Sequence, residues 1–451
     1  MSSTTDVDRP RRYFAFHFRM LRFLGLGWWH QPDENNFSNF PTWYIPYSVI
    51  TQMVWVVGFV GLETIDPFIG NKEVERFMFS LSFVITHDLT CIKLYLFFFK
   101  NRDLQEVVRT LEIELYDYYQ NNVKNQAIVR MSRIMTSSFL FFGWATIANS
   151  NINGAIQDYR WKAAIAKLNG TEDRPERQLA QPIYIPWGYQ DDRSYISTFI
   201  LEATGLLWTG HIVMIIDTLI GSIIMHMSGQ FEILQEAFST LYDRTMSQMR
   251  ARTDNAGNGS APVLFSDQES FEGEVMNDDE SFVRTRYPKE EIEKALDKNL
   301  RQCIRQQQVL IRCVENFSTT YSYGFFTQLL SSMAAICVIM VQVSKDASTF
   351  RSISFATSLA FFFAMIIQLA IQCFTGNELT RQANAVADAV WNSKWERAHP
   401  GFRRQLIMVI VRAQRPLRLS AAGFANMDNG CFLSIVKAAY SYYAVLSQSQ
   451  V

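Results

Sequence analysis

The residues of this sequence best suited to chemistry stand inside apolar stretches. His87, Asp88 and Lys93 share one such stretch, and Glu202, His211 and Asp217 share another. An ionisable side chain in hydrocarbon is costly unless it pairs or faces water, so each is either a structural partner or part of an ion path. Asp88 or Asp217 facing Lys93 would make a structural pair; a proton relay is the other reading, and nothing in the sequence selects it. A third group is more ordered. At about 100° per residue, Ser434, Ala438, Ser441, Val445 and Gln448 fall within about 60° of Val445 on one helix face. A small, polar face suits a helix that lines a water-filled path, with Val445 as a dewetting constriction and Gln448 just outside it. Small residues also permit close helix packing, so the pattern alone leaves pore and packing both open. Lys437, about 80° from Val445 on the same wheel, points toward a neighbour or an inner vestibule.

Other chemistries find no support. No nucleophile and base are arranged as a catalytic pair within the apolar stretches. The six cysteines, at 91, 303, 313, 337, 373 and 431, lack the close paired spacing of a zinc or redox motif and read as free thiols. No catalytic residue, metal site or cofactor is therefore expected. A net charge of −1 over 451 residues supplies no global field to attract nucleic acid, and no basic stripe accompanies a nucleic-acid module.

The elements that must position these residues are membrane-spanning helices, which makes the fold class all-α with the lipid bilayer as a partner. A hydrocarbon core of about 30 Å needs roughly 20 apolar helical residues. Seven segments approach that standard, at 44–63, 77–99, 128–148, 196–226, 321–343, 353–374 and 430–447, the third and seventh being the least apolar. The run 406–411 is too short to span and reads as part of a soluble helix. Lys and Arg accumulate in loops that face the cytoplasm. With the N-terminus inside, the inner segments hold 30 of them, Arg130 and Arg133 included, against 10 in the outer ones. The N-terminus is thus expected inside and the short C-terminus outside, opposite to G-protein-coupled receptors.

The expected organisation follows from this topology. Residues 1–43 form a cytoplasmic or interfacial segment, with no signal-peptide pattern and with an amphipathic stretch, 11–29, against the inner leaflet. Spans one to four occupy 44–226, and a long cytoplasmic loop covers 227–320. In that loop a Gly/Ser/Asn run and an acidic run, about 254–284, cannot bury enough apolar surface to fold. Helical periodicity on both sides extends the fourth and fifth spans into the cytoplasm. Spans five and six take 321–374, a cytoplasmic anchor helix takes 375–429, and the last span with an extracellular end takes 430–451. The outer passage 181–189, rich in Pro and aromatics, either lids a site or packs as a plain loop. Of the sequons at Asn36, Asn169, Asn258 and Asn316, only Asn169 falls outside on this topology and is the expected glycosylation site.

The stretch 376–448 contains Gly376-Asn-Glu-Leu379, Ala389-Val-Trp-Asn-Ser-Lys-Trp395, Leu417-Arg-Leu-Ser-Ala-Ala-Gly423 and the ending Ser441-Tyr-Tyr-Ala-Val-Leu-Ser-Gln448. With these motifs it resembles the C-terminal signature region of the insect odorant receptors. Ser441 replaces the usual Thr. The ending also resembles the looser pattern of gustatory receptors, which is the nearest alternative; a secondary transporter would show inverted repeats and broken helices, and neither is found. The resemblance implies an odorant-gated, non-selective cation channel, a tetramer whose last spans line the pore, with the gate at Val445 and a polar ring at Gln448. It implies work beside a common co-receptor subunit in the plasma membrane of sensory dendrites. Lys437 departs from the small residue expected there in the co-receptor, which favours a mixed tetramer. The resemblance also implies a pocket for a small volatile organic ligand among spans two, three, four and six. Depth and chemistry then select Phe79, Phe83, Gly143, Trp144, Phe199, Ala203, Thr357 and Phe361.

Overall fold

Long apolar stretches with few prolines become long helices, and their polar ends supply the caps. In a computed structural model, residues 13–27, 42–69, 74–167, 177–255, 278–346 and 353–448 are described. The helices run in the order α1 (Ala15–Phe23), α2 (Tyr44–Thr51), α3 (Val60–Ile65), α4 (Val74–Phe99), α5 (Asn101–Glu112), α6 (Asn122–Ile165) and α7 (Asp192–Ser239). They continue as α8 (Leu241–Asn255), α9 (Asp278–Arg286), α10 (Lys289–Asp346), α11 (Ile353–Trp391), α12 (Pro400–Ala413) and α13 (Asn429–Gln448). A π-helical stretch, Gln52–Phe59, joins α2 to α3. Asn121 caps α6 by accepting from the Lys124 amide at 3.1 Å, and Asp191 caps α7 by accepting from the Ser194 amide at 3.0 Å.

Length decides what these helices can be. The 58 residues of α10 rise about 1.5 Å each, roughly 87 Å in all, which is nearly three bilayer cores. Such a helix must project well beyond a membrane, as the periodicity through Ile292, Leu296 and Leu300 predicts. Among the described residues, five stretches, Tyr44–Phe68, Phe77–Phe99, Asp192–Ser239, Lys289–Ser344 and Phe355–Trp391, are long and apolar enough to cross a membrane. The two weaker expected spans fall on α6 and α13. The centre of the bundle is α7, buried over most of the stretch from Ile212 to Phe238 and packed against α11 and α6.

At one end of the bundle α8, α9 and α12 gather around the start of α10 and the end of α11. The apolar run 406–411 lies within α12. The stretch 254–284, expected to be unfolded, is ordered at its far end, because α9 buries Val283 completely and sets Glu280 among partners. Glu280 accepts from Tyr242 at 2.9 Å, Arg284 at 3.1 Å and Arg397 at 2.7 Å. Burial pushes the Tyr242 hydroxyl up to about 12, so it stays a donor to that carboxylate. The middle of the expected insertion, 256–277, and Asn169 lie outside the described residues.

The N-terminal segment also differs from expectation. Rather than lying flat on lipid, α1 is tucked into the bundle, with Phe14, Leu21 and Leu26 fully buried and the Phe14 amide donating to Glu112 at 3.2 Å. Its apolar stripe has found protein instead of acyl chains. Between α12 and α13 the chain forms a hairpin of β1 (Ser420–Ala421) and β2 (Ala425–Asn426), antiparallel with Ala421 opposite Ala425. Gly423 supplies the positive φ of +77° that its turn needs.

Candidate functional site

Five helices, α4, α6, α7, α10 and α11, leave a cavity of about 120 Å³ between them. That is the scale of a void that holds a single aromatic ring, about 150 Å³ in a well-studied engineered case. Its wall is mainly apolar. Phe83 stacks on Phe361 with ring centres 5.2 Å apart, and Phe79 meets Phe83 edge-on at 5.2 Å. Gly143 lets Met214 approach, since a Cβ there would stand 2.0 Å from the Met214 Sδ. The hydroxyls on the wall are largely committed to their own helices. Ser82 donates to the Phe79 carbonyl, Thr86 to Ser82, Thr146 to Phe142 and Ser331 to Thr327.

Three amides and one imidazole add polarity. Gln328, Gln342 and Gln368 stand on the wall, as does His87, whose Nδ1 lies 2.5 Å from the buried carboxylate of Glu63. Thr357 Oγ1 accepts from Asn149 Nδ2 at 2.8 Å. Gln368 also donates to Asp217 Oδ2 at 2.5 Å, which links the cavity to a buried ion pair. Asp217 Oδ1 receives Lys93 Nζ at 2.5 Å and Gln372 Nε2 at 3.2 Å. The structural pairing foreseen for Lys93 is present with Asp217, whereas Asp88 accepts from Thr64 at 3.1 Å.

Of the eight side chains selected from sequence, Phe79, Phe83, Gly143, Thr357 and Phe361 stand on this wall. Trp144, Phe199 and Ala203 do not. Trp144 is one residue past Gly143, and about 100° of helix turn carries it outward. There its indole donates to His211 Nε2 at 2.6 Å. Ala203 prolongs the Leu206 face of α7 one turn beyond the cavity, and Phe199 one turn further. Phe199 stacks on Tyr195 and packs against the cluster that holds Leu179, Ile183 and Ile185, so the loop before α7 occupies its surroundings. That loop is a packed one: its Tyr184 amide donates to the Leu62 carbonyl at 3.3 Å. The wall supplied by α10 was missed. The signal that marks it is the recurrence of Gln328, Ser332, Ala335, Ile339 and Gln342 at helical spacing inside an apolar helix.

The α13 helix has two unlike faces. Phe432, Ile435, Ala439, Tyr443 and Leu446 pack into the core, with Tyr443 donating to Ser344 at 3.1 Å and Phe432 meeting Phe374 at 5.1 Å. On the opposite side Ser434, Lys437, Ser441, Val445 and Gln448 are exposed and Ala438 is half-buried. Val445 is 66% exposed in this chain, although it is a large aliphatic residue. At the start of this helix Asp428 acts as the cap by accepting from the Cys431 amide at 2.8 Å.

Comparison with known proteins places this architecture. Odorant receptor 22c of Drosophila melanogaster is 22% identical over 455 residues, which cover 98% of this chain and 99% of that protein. Odorant receptor 2a of the same fly is 24% identical over 149 residues, 33% of this chain and 38% of that protein, and odorant receptor Or2 of Anopheles gambiae is 22% identical over 147 residues, again 33% and 38%. The chain thus matches well under half the length of these last two relatives. The solved structure of the insect olfactory receptor OR5 from Machilis hrabei in complex with eugenol has the same fold, with a TM-score of 0.68 at 13% identity over 97% of this chain and 98% of that one. The 7tm odorant receptor family model matches residues 73–440, a span that takes in every wall of the cavity and more than half of α13, and the chain belongs to that family.

Proposed function

We propose that this odorant receptor is the ligand-tuning subunit of an odorant-gated, non-selective cation channel. It works in a mixed tetramer with the odorant receptor co-receptor, in the plasma membrane of sensory dendrites. Seven spans cross the bilayer with the N-terminus inside, a small volatile organic ligand enters the cavity, and α13 of each subunit faces a central pore. The observation that carries this reading is the outward face of α13. Ser434, Ser441, Val445 and Gln448 stand exposed on the side away from the chain's own core. A small polar stripe with one aliphatic residue is poorly suited to lipid and well suited to a gated water path.

The cavity has a physical route to that helix. One helix, α11, carries Thr357, Phe361 and Gln368 on the cavity wall and meets α13 through Phe374 and Phe432. A ligand that favours one placement of α11 shifts the population of α13 positions and draws the Val445 ring apart. The Machilis hrabei receptor was solved with eugenol, a ligand of the size class that a largely aromatic and aliphatic wall accommodates. The test is current recorded from cells that carry this chain with the co-receptor. Val445→Ala is expected to raise resting open probability or alter permeation, and currents indistinguishable from the parent would remove Val445 as gate.

A further inference from the structure

One polar group of the cavity lacks a partner, and it identifies the kind of ligand. Gln328, only 1% exposed, donates from Nε2 to Ser332 Oγ at 2.7 Å, while its Oε1 has no hydrogen-bond partner among the described residues. An amide oxygen buried bare in an apolar wall is destabilising relative to one that is bonded. Turning the amide over would let the Ser332 hydroxyl donate to Oε1 and leave the NH₂ bare instead. In either orientation one end of the amide has no hydrogen-bond partner among the described residues. A hydroxyl both donates and accepts, so it serves whichever end is exposed. On the wall of the same cavity, His87 Nε2 makes a long 3.5 Å contact with Thr209.

We infer that the preferred ligands are alcohols or phenols, compact molecules with an apolar body and one hydroxyl bonded to Gln328. The inference rests on the receptor reading above and specifies the ligand class of the same cavity. A site built to bond a hydroxyl rejects the analogue without it more strongly than an apolar pocket rejects an added methylene, because the buried polar group is then left unpaired. The cavity volume limits the body to about one six-membered ring.

The experiment records odorant-evoked current from this chain with the co-receptor over a volatile panel that includes matched pairs. Such pairs are 2-phenylethanol with propylbenzene and cyclohexylmethanol with ethylcyclohexane, in which a methyl replaces the hydroxyl. The alcohol of each active pair is expected to be at least tenfold more potent. Gln328→Met, which keeps the length and removes the amide, is expected to level the pair while the response to the hydrocarbon persists, so a folding failure is recognised by loss of both. Hydrocarbons equal to their alcohols in the parent, or a panel led by hydrocarbons, would overturn the ligand class and leave the receptor reading intact. Silence to the whole panel from chain present at the surface would overturn the receptor reading and this inference with it.

Discussion

Lys93 Nζ lies 2.5 Å from Asp217 Oδ1, with the lysine side chain 5% exposed and the aspartate fully buried. Gln368 and Gln372 bond the same carboxylate, so its lone pairs are answered from α11 as well as α4. Removing one partner of such a pair leaves an uncompensated buried charge, at a cost of about 3–5 kcal/mol, whereas replacing both with apolar residues is often neutral. Lys93→Met alone and Asp217→Leu alone are therefore expected to lower surface abundance sharply. The double variant is expected to recover most of it. Surface labelling of the three variants checks this, and a double variant as poor as the singles would show that the pair does more than balance charge.

Gly143 and Met214 set the width of the cavity. In Gly143→Ala the added Cβ would stand 2.0 Å from the Met214 thioether, which is flexible and must swing away. Both residues line the cavity, so the swing takes volume from the ligand. Surface abundance should hold, while sensitivity to the larger active ligands drops by about tenfold or more, the worth of a methylene in a closed pocket. Dose-response curves for a homologous ligand series measure this, and a uniform loss at every ligand size would refute it.

Gly376 opens the sequence signature for a reason of contact. A Cβ there would meet the Met427 carbonyl oxygen at 2.4 Å, and backbone cannot swing aside. Gly376→Ala is expected to cost about 1–3 kcal/mol through overpacking and to loosen the joint where the chain enters α13. At Gly423 a Cβ meets nothing within 4 Å, but φ is +77°, so alanine there costs only about 1 kcal/mol of left-handed strain. Thermal unfolding of purified chain should rank Gly376→Ala well below Gly423→Ala; the reverse order would argue against the contact.

The α13 face is legible in the sequence because five residues repeat at helical spacing and differ in kind from those on the opposite side. The Lys93 pair is legible because hydrocarbon forces a buried charge to find a partner. The cavity is only partly so. In an apolar helix the sides facing lipid and cavity carry the same residue types, which is why Gly143 and its neighbour Trp144 are not separable without the helix phase. Depth is equally hidden: Phe199, Ala203 and Leu206 share one face of α7, and only the loop before α7, packed against Phe199, tells where the cavity ends. The docking of α1 and of α9 is hidden for a third reason. Each gains its buried surface from distant segments, Phe14 from Glu112 and Glu280 from Arg397, and no local pattern announces them.

His17 makes the docking of α1 sensitive to acid. Its Nε2 lies 3.2 Å from Thr136 Oγ1, and burial, with His226 nearby, lowers its pKa from 6.5 to about 3. The undocked segment therefore binds a proton that the docked one refuses. Docking is at full strength above pH 6.5 and weakens as pH falls from there toward about 3. At about 1.4 kcal/mol per pH unit, roughly 2 kcal/mol is lost by a pH of about 5. Hydrogen exchange of residues 13–27 should accelerate over that range in the parent and much less in His17→Phe; identical acid responses would assign the effect to another group.

On the proposed channel reading, Lys437 bears on how many copies of this chain share a pore. It is exposed about 80° from the Val445 direction, and its backbone carbonyl is held by the Ser441 hydroxyl at 2.9 Å, so the helix fixes where the side chain departs. A unit charge about 8 Å from a permeating cation in water raises its energy by about 0.5 kcal/mol, enough to lower conductance about twofold. Four such charges would sum to about 2 kcal/mol and lower it by more than tenfold, so a pore with one or two copies conducts far better than a homomer. Lys437→Gln is then expected to raise unitary conductance about twofold per copy in assemblies with the co-receptor, and the increase counts the copies. Single-channel recording supplies the measurement. Conductance unchanged by the substitution would mean that the ammonium reaches out of the ion path, and the preference for a mixed assembly would lose its electrostatic basis.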